Sequence, residues 1–579
     1  LVPPLPPQHR AARTAACHPS LATSAYRRQP MNRRLQAALR CAPVLILALY
    51  TTLNVVSFST AHSRELLNKF EDDAYFYFEI ADNVVESGDL TFDGQTTANG
   101  YHPLWLAGLV PLTSAVRDPF RFLRLLGVLS AVVSGGTACL AYLRQRHGFI
   151  SASLGAALML ACLIAFGSTG METTVLLPLG TASLLLLHHI ASFNPTTGSP
   201  GAPQGWLLLG IGLALVQMAR LDAVLLNASI LTFILLFDRS RRTAAHLALA
   251  GLPVLLTGGT YLATNYLSVG HLMPTSGLVK SMGEGLVNLR FVRQLTNPTN
   301  PQGTVWNIYL CMSLLALGYL VSFVRSRWFD SADGFSEPAD YVASIVCVFF
   351  LLFTAYQLVQ TSWKLWRWHA YPIFFMAIFV VPCAVDAILD HLSNHETLRP
   401  FLFRFGRISS AATLTLMTVI SIRWGNWRNP VNVLFAHDNY LLAQQLNRRF
   451  NRDVIVAMGD RAGSFAYFFE GHVLQLEGLV GNHDLLSAVR RDRLPRYITD
   501  FGVQYVVSHH HPPPGYTRWT LTTPLTGHTS GPHAEIELCE GTEVLRQGFR
   551  SGTIVVWAWP SCRSRGTSED RPLPRHHRN

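Results

Sequence analysis

The chain is short of charge. Asp, Glu, Lys and Arg make up only 14% of its 579 residues, while 49% are hydrophobic. A soluble protein of this length carries about 25% charged residues, so a single soluble globule is excluded. Cysteine is sparse and scattered. Six of the nine, Cys41, Cys139, Cys162, Cys311, Cys347 and Cys383, lie inside apolar runs, where a thiol serves as a small core residue. Only Cys539 and Cys562 fall in the polar C-terminal part. They could close a disulfide there if that part lies outside the cytoplasm. No internal repeat is recognisable, which argues against the repeated halves common in secondary transporters. A usable external N-glycosylation sequon is also missing: the Asn-Ala-Ser at Asn227 sits inside an apolar run, which fits a bacterial plasma membrane.

The long apolar runs recur from Cys41 to about Trp424. They predict about eleven transmembrane helices, at 42–60, 122–143, 148–166, 171–190, 205–219, 222–237, 245–267, 305–324, 341–360, 370–389 and 408–424. The net charge of +11 is no nucleic-acid signal, because much of it lies in Arg clusters between these runs. If "HPLWLAGLVPLTSAV" (102–116), with its two prolines, lies on the surface, the clusters fall on one side. Arg33, Arg34 and Arg40, then Arg144 and Arg146, Arg239 to Arg242, Arg325 and Arg327, and Arg399, Arg404 and Arg407 are then all cytoplasmic, as the positive-inside rule requires. The expected topology has a cytoplasmic N-terminus and an external C-terminal domain. Residues 1–40 are expected to be a disordered cytoplasmic segment. Its first 30 residues precede Met31 and read as upstream read-through or a loose Pro-rich tail.

This topology gathers the unusual polar residues on the external face. "NKFEDDAYFYFEIADNV" (68–84) opens the first external loop, 61–121. Asp72 and Asp73 are adjacent carboxylates at a membrane surface, costly unless solvated, paired or bound to a cation. Each suits a general base, or an oxygen ligand for Mg²⁺ or Mn²⁺. On a helix after Asp72, Phe76, Ile80 and Val84 share a face, and the aromatics there are expected to seat it at the lipid boundary. The turns in "TFDGQTTANGYHPLW" (91–105) fold His102 back toward the acids. "GSTGMETT" (167–174) supplies Glu172, and "ARLDA" (219–223) supplies Arg220 and Asp222. "GHLMPTSGLVK" (270–280) offers Lys280 beside small residues whose backbone can approach a phosphate. "WKLWRWHAYP" (363–372) sets Lys364, Arg367 and His369 among tryptophans, either as an aromatic belt with snorkelling bases or as a phosphate clamp. Acids, histidines and bases on one membrane face are the equipment for displacing an anionic phosphate with an acceptor hydroxyl.

In this order the motifs resemble the GT-C glycosyltransferases, and specifically a bacterial branch that includes the mycobacterial arabinofuranosyltransferases. The resemblance runs over about residues 45–390 and is looser beyond. It implies a polyprenyl-phosphate sugar donor used from the outer side of the membrane, with Asp72 or Asp73 as catalytic base and a divalent cation allowed. The acid pair here is Asp-Asp, where the lipid A and protein mannosyl branches have Asp-Glu.

After Trp424 charge returns and the runs shorten. Residues 425–565 read as one soluble α/β domain, followed by a disordered tail at 566–579. "DVIVAMG" (453–459), "HVLQLEG" (472–478) and "VQYVVSH" (503–509) predict buried strands, and "EIELCEG" and "GTIVVWAWP" later ones. "SFAYFFE" and "DLLSAVRRDRLPRYITDFG" predict helices between them.

The expectation is therefore a polytopic α-helical plasma-membrane enzyme with a GT-C-like catalytic domain at 41–424 and an extracytoplasmic α/β domain. It moves a sugar from a polyprenyl-phosphate donor to a glycan, lipid or protein acceptor by an inverting mechanism, and no nucleic acid is involved. Asp72 and Asp73 are the candidate bases and metal ligands. His102, Glu172, Arg220, Asp222, Lys280, Arg367 and His369 are the candidate substrate-binding residues. The rival is a transporter or flippase of a lipid-linked or anionic solute, which would need a polar path that these spans lack.

Overall fold

Among the residues that the computed structural model describes, eight helices are long and apolar enough to cross a membrane. The structure describes residues 33–144, 147–192, 203–237, 242–283, 285–296, 303–329, 338–393, 399–425, 435–481, 483–526 and 528–560. Arg146, Arg239 to Arg241, Cys562, the segment 1–30 and the tail 566–579 lie outside them.

The eight helices are Cys41–Thr60, Pro119–Arg144, Phe149–Phe166, Thr173–Ala191, Thr243–Val269, Val305–Arg325, Pro338–Val359 and Arg367–Ser393. They coincide with eight of the eleven expected spans. The other three expected spans correspond to shorter apolar helices, Pro203–Ala219, Leu221–Leu236 and Ile408–Ser421, and Pro103–Ala115 is a fourth short one. Proline opens several of these helices, where its missing N–H costs nothing. The most apolar stretch of Arg367–Ser393 is 67% buried, against 17% for Thr243–Val269 and Val305–Arg325. The first therefore sits at the centre of the bundle, and the other two turn their leucines outward.

The acidic helix Asp72–Glu86 does not rest on lipid. Tyr75, Phe76, Tyr77, Phe78 and Ile80 are all buried. Tyr75 packs on Tyr467 and Phe468 of the C-terminal domain, with ring centroids 5.8 and 6.2 Å apart. Phe78 meets Phe122 of a membrane helix at 5.2 Å. The aromatics face two ways because they fill a seam between protein layers.

The C-terminal domain carries a five-stranded sheet in the order β2-β1-β3-β7-β6. Its parallel half is β1 (Ile455–Met458), β2 (His472–Gln475) and β3 (Tyr505–Ser508), with β1 central. β7 (Gly552–Ala558) pairs antiparallel with β3, and β6 (Glu543–Phe549) with β7. β4 (Arg518–Thr523) and β5 (Ala534–Cys539) form a separate hairpin. Cys539 is disulfide-bonded. The helical stretch before β3 is two helices, His483–Arg490 and Leu494–Asp500, parted where Asp492 takes φ 53°.

Candidate active site

Adjacent helix positions point about 100° apart, and the structure separates Asp72 from Asp73 on that basis. Asp72 faces the C-terminal domain. Its Oδ2 accepts the Gly463 N–H at 3.0 Å, and its Oδ1 accepts the Ser464 N–H at 2.8 Å and the Ser464 hydroxyl at 2.7 Å. A side chain on Gly463 would meet the Asp72 carbonyl oxygen at 2.3 Å, so glycine is required there. Burial pushes the Asp72 carboxyl up to about 6, against the pull of the Ser464 hydrogen bonds.

Asp73 instead lines a cleft of about 490 Å³, part of it open to solvent, together with His102, Glu172, Arg220, Lys280 and His369. Burial raises the Asp73 carboxyl to about 7. Lys280 opposes that rise, and Asp72 adds to it. Lys280 ends the short helix Thr275–Lys280, anchored where the Thr275 N–H and hydroxyl donate to Asn99 Oδ1 at 3.1 and 2.9 Å. Burial lowers the Lys280 ammonium, and Asp73 is the first group sustaining its charge.

The other expected residues divide into two groups. Arg220 is 3% exposed and fully engaged: it binds Asp222 through Nε at 2.8 Å and Nη2 at 3.1 Å, and Glu172 through Nη1. Its guanidinium also lies 5.1 Å from the Tyr371 ring. Asp222 therefore reaches the cleft only through Arg220. Arg367 is bound by the nearly buried Glu71 through Nε at 2.7 Å and Nη2, away from the cleft. Lys364 lies 5.2 Å over Trp366. His102 stacks on Tyr77 at 6.4 Å, and its Nε2 lies 3.7 Å from Glu172. Burial, then Arg220, pushes the His102 imidazole down to about 3, so the ring is neutral. Two buried atoms beside the cleft, His102 Nδ1 and Glu172 Oε2, have no hydrogen-bond partner. Polar atoms left so are expected to have a ligand.

Sequence reading missed several lining residues: Tyr77, Tyr101, Ser276 and Trp368, with Leu479 and Val480 from the C-terminal domain. Tyr101 and Trp368 adjoin motif histidines and carried that signal. Leu479 and Val480 carried none, since nothing in "LEGLVG" marks a cleft.

No family model matches the sequence, and neither does any curated protein. Solved structures do match. ArnT from Cupriavidus metallidurans, solved with undecaprenyl phosphate, superposes with a TM-score of 0.52 at 12% identity, over 89% of this chain and 97% of that one. Its apo form gives 0.51 at 13%, over 82% and 93%. The oligosaccharyltransferase AglB from Archaeoglobus fulgidus, solved with an inhibitory peptide and a dolichol phosphate, gives 0.50 at 11%, over 83% and 70%. The fold is of the GT-C type.

The GT-C resemblance allowed a divalent cation at the acid pair, and the residues there do not fit one. Both Asp72 oxygens are taken by the C-terminal domain. Among the described residues, three His, Cys or carboxylate ligand atoms come within 4.8 Å of one another at Asp460, Glu477 and His528, not at Asp73. No step at Asp73 is assigned to a metal.

Proposed function

We propose that the protein is an inverting membrane glycosyltransferase that moves a sugar from a polyprenyl-phosphate donor to a hydroxyl of a cell-envelope glycan, lipid or protein. The observation that carries this reading is the cleft shared by Asp73 and Lys280, a buried carboxyl with an ionisation near neutrality beside a buried ammonium. Two proteins of this fold have been solved with lipid phosphates, which supports a donor of that class.

In the reaction, the acceptor hydroxyl gives its proton to the Asp73 carboxylate. Its oxygen attacks the anomeric carbon from the face opposite the phosphate. The carbon–oxygen bond to phosphate breaks, its electron pair leaves with the polyprenyl phosphate, and the configuration inverts. Lys280 stabilises the leaving charge. Arg220 is already neutralised by Glu172 and Asp222, so it acts as a girder that fixes Glu172. The open Oε2 of Glu172 and Nδ1 of His102 orient sugar or acceptor hydroxyls, with His369 beside them. Arg367 and Glu71 lock the start of the acidic helix to the start of the span Arg367–Ser393.

The reading includes a catalytic domain at 41–424 with its cleft on the external face of the plasma membrane. The N-terminus is cytoplasmic, and the domain at 425–565 is periplasmic or extracellular. Mass spectrometry of cell-envelope glycans with and without the protein tests the function. A sugar residue should disappear from one defined linkage when the protein is removed, and an unchanged glycan profile would refute the assignment.

A further inference from the structure

The carboxyl end of the parallel half-sheet carries a second constellation that the proposed transfer reaction does not use. Asp460 lies just past β1, Glu477 just past β2, and His528 in the loop joining β4 to β5. One donor atom from each lies within 4.8 Å of the others, and His528 Nδ1 is already 3.6 Å from Glu477 Oε1. Donors held ~2.0–2.2 Å from one zinc ion sit ~3.4 Å apart, so modest side-chain rotation closes the set. Glu477 is only 4% exposed. Asp460 is half-buried and Arg461 Nε lies 3.3 Å from its Oδ2, whereas the buried Glu477 faces His528 alone among the described basic residues, and a buried carboxylate is costly without a full counter-charge.

A second observation points to a ligand in the same place. Asp460 and Glu477 line a small cavity of about 10 Å³, room for one water or ion, together with Ser508, His509, His510 and Thr523. His509 Nε2 lies 2.7 Å from Asn439 Oδ1. The Asn439 amide nitrogen donates to the Arg461 carbonyl and to Ser464 Oγ, each at 2.9 Å. Asn439 therefore presents its oxygen as acceptor, and Nε2 carries the ring proton. His509 Nδ1 is then a bare lone pair, and it is buried with no partner. A ring held through one nitrogen while the other stays open is how metal-binding histidines are oriented.

We propose that Asp460, Glu477 and His528 bind one divalent transition-metal cation, with His509 facing the same cavity, and that zinc is the ion their mixed nitrogen and oxygen donors suit. The site is structural and does not depend on what the enzyme transfers. It joins three segments that build the cleft. Asp460 opens the turn whose Gly463 and Ser464 hold Asp72. Glu477 leads into Leu479 and Val480 of the cleft wall. The His528 carbonyl accepts the Lys364 N–H at 2.7 Å, and its ring packs 6.0 Å from Trp363 and 5.7 Å from Trp366. A cation at this point staples the C-terminal domain, through His528, to the segment 363–366 that leads into the span carrying His369.

The test uses the full chain in detergent, stripped with EDTA, reloaded with zinc chloride and desalted. Metal is counted by mass spectrometry, and thermal unfolding is followed in parallel. Wild type should retain about one zinc per chain and melt higher when loaded, as a ligand of the folded state requires. Glu477→Gln and His528→Gln should each weaken zinc binding at least about 100-fold and lose the thermal gain. Asp73→Asn should keep both. A wild type that retains no zinc overturns the proposal and leaves Glu477 and His528 as an ion pair alone. Equal retention by the two variants, or loss of zinc in Asp73→Asn, overturns it as well.

Discussion

Asp72 and Ser464 are 392 residues apart in the chain, yet the Asp72 carboxylate accepts both the backbone N–H and the hydroxyl of Ser464. Through this contact the C-terminal domain sets the rotation of the acidic helix, and with it the direction of Asp73.

Ser464→Ala removes a hydrogen bond to a charged acceptor, worth about 1.5–3 kcal/mol. The unfolding midpoint should fall and kcat should drop about 10-fold, with KM for the donor little changed. Gly463→Ala should cost more, because its Cβ meets backbone rather than a yielding side chain. Thermal unfolding and steady-state transfer on the purified variants check both.

The two aspartates should separate cleanly. Asp73→Asn removes the base and should lower kcat by about 10²–10⁴ while leaving the fold intact. Asp72→Asn leaves a neutral acceptor for Gly463 and Ser464, and should lower thermal stability more than it lowers kcat. Equal loss of kcat in both would break the division of roles.

The pH profile follows from the raised Asp73 carboxyl. A base must be ionised, so activity should be present above about pH 7 and lost as pH falls through it. Stability runs the other way. A carboxyl raised on folding contributes stability at low pH that is lost as pH rises through the folded value. Asp73→Asn should therefore flatten the fall in unfolding midpoint between about pH 4 and 7. Lys280→Met removes the charge that holds the carboxyl down, so its acid limb should shift to higher pH. A limb that does not move would contradict the pairing.

Arg367 and Lys280 are both basic, but their substitutions should differ in kind. Arg367→Met removes the guanidinium that binds Glu71 through two nitrogens, a loss of about 1.5–3 kcal/mol visible in thermal unfolding. Lys280→Met should leave stability nearly unchanged and reduce kcat/KM for the donor about 100-fold. Denaturation and kinetics on the same preparations distinguish the two.

Much of this architecture was legible because a bilayer imposes length and composition on each helix. The acids, His102, Glu172 and Lys280 stood out because polar groups are costly at a membrane surface. What could not be read were partners distant in sequence. Nothing near Arg367 marks Glu71 as its counter-ion, and nothing near Asp72 marks Ser464. The aromatics of the acidic helix looked suited to lipid because composition does not distinguish a lipid boundary from a protein seam. β4 and β6 were not foreseen. β6 alternates half-buried and exposed residues, and only one residue of β4 before its final Thr523 is buried, so neither presents the apolar run that marked β1 and β3.

The most direct test of the central claim is release of free polyprenyl phosphate in proteoliposomes. The purified protein is reconstituted with the polyprenyl-phosphate sugars and acceptors extracted from envelope membranes, and the lipid phosphate is quantified by mass spectrometry. Wild type should release it in step with glycosylation of the acceptor, and Asp73→Asn should release at most about 1% of that amount. Undiminished release by Asp73→Asn, or no release by wild type, would contradict the account.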